Sequence, residues 1–182
     1  TDSLQQFWTT NYVDGKRLDD IDLYVLTSSY TFSAAEEFTY NLKNLERATI
    51  VGETTGGGAH PISVRLFPSL NCGMRVPYAR AVNPISGTNW EGTGIAPDIE
   101  VPSEQALDRA HLEALRELLA DAEDEDARFR LQWTIDGLVA RLEPTEVSEA
   151  VLRGYEGQYG PRRLWVEKGS LLYQRDEGQV RT

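Results

Sequence analysis

The run Ile21-Asp22-Leu23-Tyr24-Val25-Leu26-Thr27-Ser28 is short, apolar and rich in β-forming residues, the pattern of a central strand buried on both faces. Directly behind it, Thr31-Phe32-Ser33-Ala34-Ala35-Glu36-Glu37 opens a helix. Hydroxyl residues stand at the cap, carboxylates fill the first turn, and Phe38, Leu42 and Leu45 follow at helical spacing. Ala48-Thr49-Ile50-Val51-Gly52 then reads as a second buried strand. Strand, tight turn, helix and strand make a β-α-β unit, whose crossover helix packs on a parallel sheet through a right-handed connection. The fold class this predicts is α/β.

Outward from that unit, Glu53-Thr54-Thr55-Gly56-Gly57-Gly58-Ala59 is too rich in glycine for regular structure and suits close backbone approach to a ligand. Residues 62–67 and 74–82, separated by Pro68-Ser69-Leu70-Asn71-Cys72-Gly73, read as a hairpin. Pro84, Gly87, Gly92, Gly94 and Pro97 punctuate a long irregular segment that ends at Ile99-Glu100-Val101, and loops of that length in a domain usually serve function. The character changes at Pro102. Residues 103–122 align Leu107, Ala110, Ala114, Leu115, Leu118, Leu119 and Ala122 on one helical face, and residues 127–143 do so with Leu131, Ile135, Leu138, Val139 and Leu142, predicting two antiparallel helices. Asp121 to Asp126 between them is a solvated acidic turn, without the alternating ligands and central glycine of a calcium loop. After Pro144, Tyr155, Tyr159, Leu164-Trp165-Val166 and Leu171-Leu172-Tyr173 form short strands with a Lys168-Gly169 turn. The expected organisation is residues 1–102 as a principal domain, 103–143 as a helical extension and 144–182 as a small β appendage. The polar start at Thr1, with no initiator methionine, reads as a piece of a longer protein.

The 182 residues carry 18 basic and 29 acidic side chains, a net charge of −11, and a sequence pI near 4.6. Such a balance argues against nucleic acid, which is bound by clustered Lys and Arg. No apolar run approaches the roughly 18 residues of a membrane span, and residues 1–20 lack a signal-peptide pattern, so membrane insertion is not expected. The lone Cys72 cannot form an internal disulfide and reads as a small core or loop residue; no Cys or His cluster has metal-ligand spacing.

For chemistry, Ser33 stands where a buried strand turns sharply into a helix. Its Oγ can project from the sheet edge among helix-start N–H groups and attack a carbonyl, with Ala34 N–H receiving the oxyanion. The same position also suits a plain N-cap.

Three blocks then carry a resemblance. Leu26-Thr27-Ser28 through Thr31-Phe32-Ser33-Ala34-Ala35-Glu36, Val51-Gly52-Glu53-Thr54-Thr55-Gly56-Gly57-Gly58, and Asn89-Trp90-Glu91-Gly92-Thr93-Gly94-Ile95-Ala96-Pro97-Asp98-Ile99 together resemble the S41 serine peptidases. These are the tail-specific or C-terminal processing proteases, and the blocks are similar to the branch of tricorn protease and the interphotoreceptor retinoid-binding protein repeats. The resemblance implies a spiral of β-β-α units like that of ClpP and crotonase. It also implies Ser33 as nucleophile, Ala34 as one oxyanion N–H, Glu91 as the glutamate that helps orient the catalytic set, peptide or protein substrates and no cofactor. Glu91 alternatively satisfies nearby loop N–H groups. The Ser/Lys members carry a lysine in the glycine loop, where this chain has Gly58, so a Ser/Lys dyad is not expected; Lys43 lies on the helix and reads as a solvated residue. The tricorn-like branch takes its histidine base and second oxyanion N–H from segments preceding the nucleophile strand. The base is therefore expected outside this chain, and residues 1–182 alone should show little or no turnover.

Gly56, Gly57, Gly58, His60 and Trp90 are the residues expected to line a substrate cleft. His60 could also approach Ser33 as a base, and Trp90 could instead fill core. His111 reads as structural, and Glu36 and Glu37 as first-turn residues that suit the helix dipole. The rival function is a non-catalytic module binding an apolar ligand or peptide; residues 103–143 could alternatively dock a partner. Exposed sheet edges and apolar faces would favour homo-oligomers. The sequence assigns no compartment, although the resemblance points to export from a bacterium.

Overall fold

The computed structural model describes residues 3–176 and 178–181. It divides the chain into two units, the first ending at Leu131 and the second beginning at Gln132.

In the first unit, strand β1 (Tyr24–Thr27) leads through a tight turn to helix α1 (Ala34–Asn44) and on to strand β2 (Thr49–Gly52). The two strands pair in parallel, Tyr24 opposite Thr49 and Thr27 opposite Gly52, as a β-α-β unit requires. Strand β3 (Ile62–Phe67) and strand β4 (Cys72–Pro77) form an antiparallel hairpin around a 3-10 turn at Pro68–Leu70, with Asn71 left-handed at φ 48°. Strand β5 (Ile99–Glu100) returns to pair in parallel with β2, giving the sheet order β1-β2-β5.

That order corrects the expectation that the first strand is central. β2 occupies the middle and buries Ile50 and Val51 completely, whereas β1 lies at an edge and leaves Leu26 42% exposed. The strand also begins three residues later than the apolar run suggests. Gly52 permits the close pairing at the end of β2: its φ is +134°, and a Cβ there would stand 2.0 Å from Thr27 O. Thr27 Oγ1 in turn donates to Glu53 O at 2.8 Å.

Helix α2 (Ala106–Asp121) follows a 3-10 turn at Ser103–Gln105 and lies on β1 and β2. Its small residues Ala106 and Ala110 pack against Val51, with Tyr24, Ile99 and Val101 around them. The buried face therefore holds Ala106, Ala110, Leu112 and Leu115, while Leu107 and Leu118, both expected in the core, are exposed. His111 is exposed on this helix, and Cys72, expected in core or loop, is exposed at the start of β4. Helix α3 (Glu125–Leu142) runs across the boundary of the units; Asp124 Oδ1 accepts from Ala127 N–H at 2.7 Å at its start, and Ile135 and Leu138 are buried.

In the second unit, the short helix α4 (Glu149–Arg153), which the sequence reading did not resolve, precedes an antiparallel sheet of β6 (Gly157–Tyr159), β7 (Arg162–Glu167) and β8 (Ser170–Arg175). Lys168 and Gly169 turn the β7–β8 hairpin, both at positive φ. No helix among the described residues is long and apolar enough to cross a membrane.

Candidate active site

The turn between β1 and α1 is held locally. Ser28 N–H donates to Thr31 Oγ1 at 3.0 Å, and Thr31 N–H returns to Ser28 O at 2.9 Å. Two residues on, Ser33 is the N-cap, at φ 56° and ψ −118°. That conformation is strained for a residue with a Cβ, by about 1–3 kcal/mol, and a strained non-glycine at an exposed strand-to-helix turn is the geometry that thrusts a serine hydroxyl outward. Ser33 is exposed. Within its capping-box pairing with Glu36, the well-formed bond runs from Ser33 N–H to Glu36 Oε2 at 2.8 Å, while the Ser33 hydroxyl makes no cap hydrogen bond. Ala34 is the first helical residue, so its N–H has no intrahelical acceptor.

Glu36 itself is fully buried. Each of its oxygens accepts two hydrogen bonds: Oε1 from Thr55 Oγ1 at 2.5 Å and Gly57 N–H at 2.7 Å, Oε2 from Gly58 N–H and Ser33 N–H at 2.8 Å each. Burial pushes this carboxyl up, and the bonds from Thr55, Gly58, Gly57 and Ser33 outweigh it, so the net displacement is below the usual carboxylate value.

The glycine loop closes against the chain itself. Gly56 N–H donates to Thr31 O at 2.9 Å, and Gly57 O accepts from Gly92 N–H at 2.9 Å. A Cβ on Gly58 would stand 2.1 Å from the Phe32 ring, and one on Gly57 2.9 Å from Gly94 N. The N–H groups of Gly56, Gly57 and Gly58, residues expected to line a substrate cleft, are committed to Thr31 and Glu36. The close approach that glycine allows here is to Phe32 and to residues 92–94.

Glu91 holds the far side of the loop. Its Oε2 accepts from Ala59 N–H at 2.6 Å and His60 N–H at 2.9 Å, and its Oε1 lies 3.7 Å from His60 Nδ1. The Ala59 N–H, then that of His60, holds the Glu91 carboxyl below its usual value. Ser33 and Glu91 are therefore joined through one loop: Glu36 grips it at Gly57 and Gly58, Glu91 at Ala59 and His60. Trp90, next in sequence, is 3% exposed and packs with Ala59 and Ile95, its ring 5.1 Å from that of Tyr40. Of its two readings, this is the core one. Lys43 departs from the solvated reading: its Nζ donates to Ala96 O at 2.7 Å and to Asp98 Oδ1 at 2.6 Å.

Glu36 and Thr55 are the site residues that sequence reasoning did not pick out. The available signal for Glu36 was the Ser33–Glu36 spacing of a capping box, whereas the sequence reading takes Glu36 only as a first-turn acid suiting the helix dipole; Thr55 carried no local signal. Which donors would converge on the carboxylate depends on the loop 20 residues downstream.

The family model for peptidase family S41 matches residues 5–101 of the chain. Among solved structures, the photosystem II D1 C-terminal processing protease aligns with 47% of this chain and 22% of its own length, at 32% identity and a TM-score of 0.40. Mature CPAF aligns with 68% of this chain and 21% of its own, at 23% identity and a TM-score of 0.41. The chain spans about a fifth of the length of either.

Proposed function

The chain belongs to peptidase family S41, and on that premise we propose that Ser33 is the nucleophile of a serine-type peptidase acting on peptide or protein substrates. The observation that carries this reading is the backbone of Ser33, a non-glycine residue at φ 56° and ψ −118° on an exposed turn into α1. The Ser33 hydroxyl would add to the scissile carbonyl as a base takes its proton. Ala34 N–H would receive the developing oxyanion, an interaction of about 3–4 kcal/mol in enzymes of this kind. Collapse would break the C–N bond, the amine leaving with the proton and the acyl group remaining on Oγ until water hydrolyses the ester.

Glu91 is proposed to orient the set by holding the Ala59–His60 backbone. The reading takes the base from outside residues 1–182, as the tricorn-like members do, and what supports it is that Gly58 stands where the Ser/Lys members carry lysine. The unit from β1 to β2 would be one turn of a ClpP/crotonase-like spiral, residues 1–102 part of the catalytic domain, residues 103–143 a helical extension and residues 144–182 a β appendage.

The test is peptide hydrolysis by the full-length protein. The reading predicts turnover that Ser33→Ala lowers by at least about 10³-fold, with little turnover from residues 1–182 alone. Turnover unaffected by Ser33→Ala refutes the nucleophile assignment, and Ser33-dependent turnover by residues 1–182 refutes the external base. A correctly folded full-length protein that binds apolar ligands and cleaves nothing favours the binding-module reading.

A further inference from the structure

We infer that Glu36 is the positioning residue of this site: one buried carboxylate fixes the strained Ser33 backbone and the glycine loop in a single arrangement, presetting Ser33 Oγ and Ala34 N–H. The inference rests on Ser33 being the nucleophile and adds to it a residue that touches neither substrate nor the reacting atoms.

The chemistry of the carboxylate supports this role over the alternatives. An ionised carboxylate offers about four lone-pair sites, and all four are occupied: Thr55 Oγ1 and Gly57 N–H on one oxygen, Gly58 N–H and Ser33 N–H on the other. With its acceptor capacity filled and no exposed surface, Glu36 is not available to take a proton from Ser33 or from water. Nor is it merely a dipole-complementing first-turn acid, since such a residue needs no partner beyond its own helix end. Three of its donors belong to the loop and one to the nucleophile's own backbone, so Glu36 joins segments that the chain separates by about 20 residues.

The bond to Ser33 N–H bears most directly on catalysis. A residue at φ 56° and ψ −118° relaxes toward ordinary backbone angles unless its neighbours over-determine it. Glu36 grips the amide of that residue, and Thr31 O, receiving Gly56 N–H at 2.9 Å, ties the preceding turn to the same loop. Thr55 completes the frame, since its Oγ1 donates to Glu36 and accepts from Ile95 N–H at 2.9 Å. Releasing Ser33 would swing both the hydroxyl and Ala34 N–H, and displacements near 1 Å cost about 100-fold in rate.

Glu36→Gln tests the inference in the full-length protein. Glutamine keeps the size but replaces one acceptor oxygen with an N–H₂ group facing N–H donors. The expected result is a kcat lowered about 100-fold with KM changed less than about threefold, in a variant whose circular dichroism matches the wild type. Thr55→Val, which removes the donor to Glu36 and the acceptor of Ile95 N–H, is expected to lower kcat about 10-fold, and Thr55→Ser, which keeps both bonds of the hydroxyl, to restore it to within about threefold. Should Glu36→Gln fail to fold, this Thr55 pair decides the matter: hydroxyl-dependent kcat supports positioning, and equal kcat in Val and Ser variants overturns it. A folded Glu36→Gln enzyme with wild-type kcat overturns it as well. Ser33→Ala in the same assay separates the two levels. Turnover that survives it removes the nucleophile reading and this inference together, whereas turnover that depends on Ser33 and ignores Glu36 and Thr55 removes the inference alone.

Discussion

Ser33 occupies backbone angles that glycine would adopt freely, and its hydroxyl makes no cap bond in return. Holding a residue there costs about 1–3 kcal/mol, a cost that the nucleophile reading assigns to function at the expense of stability. Ser33→Gly should therefore be more stable than Ser33→Ala by about 1 kcal/mol, the relief of strain being partly offset by glycine's greater unfolded-state entropy. Denaturant unfolding of the two variants measures this, and a glycine variant less stable than the alanine one would contradict the strained assignment. Gly52 presents the converse case. Its φ of +134° and the 2.0 Å approach to Thr27 O leave no room for a Cβ, so Gly52→Ala should destabilise by about 3–5 kcal/mol, read as a lowered unfolding midpoint. At this scale the sequence was informative about type and poor about partners. Ser33, Ala34 and Glu91 could be singled out from their blocks, but the four donors around Glu36 are assembled by the return of a loop, which local spacing does not encode.

The elements were legible where periodicity was strong and short-range chemistry agreed with it. The β1-α1-β2 unit, the β3–β4 hairpin and α2 all follow from apolar pattern, cap and turn residues. Burial was less legible. An apolar run of eight residues cannot say whether its strand lies in the middle of a sheet or at an edge, and β2 takes the middle among the described residues because β5 joins its far side. The face of α2 shifted for a related reason: alanines at 106 and 110 allow close approach to Val51, leaving the larger Leu107 outside. Carboxylates fasten these elements. Burial raises Asp98, and its bonds from Lys43 and Ile50 N–H outweigh that, leaving it lowered; Glu36 is lowered in the same manner. A carboxyl group lowered on folding contributes stability that is full above its unfolded pKa, about 3.9 for Asp and 4.3 for Glu, and is lost as pH falls through the folded value. Unfolding free energy should accordingly be level above about pH 5 and decline below about pH 4. Glu36→Gln should flatten that decline in an acid titration of stability, and an unchanged slope would show that Glu36 does not contribute to it.

Over the whole molecule, charge is unevenly distributed. The chain carries −11 overall, yet residues 54–90 contain no Asp or Glu and hold Arg65, Arg75 and Arg80. Within that stretch the two-stranded hairpin exposes Ile62, Val64, Leu66, Leu70 and Met74, more apolar surface than an isolated hairpin usually supports in water. Residues 1–182 in isolation should therefore self-associate as concentration rises, and Leu66→Lys should reduce the association, both by sedimentation velocity. A single species of unchanged size over a 100-fold concentration range would contradict this. The fold class was within reach of the sequence because a parallel β-α-β unit leaves a repeating apolar signature; the surface was not, because exposure depends on what the rest of the molecule covers.

The nucleophile assignment is tested most directly by treating the full-length protein and its Ser33→Ala variant with a fluorophosphonate and locating any adduct by peptide mass spectrometry. A single adduct on Ser33, absent from the variant, is the result predicted by the strained turn and the open Ala34 N–H. Full labelling at another serine, or none in a folded protein that still hydrolyses peptides, would contradict it.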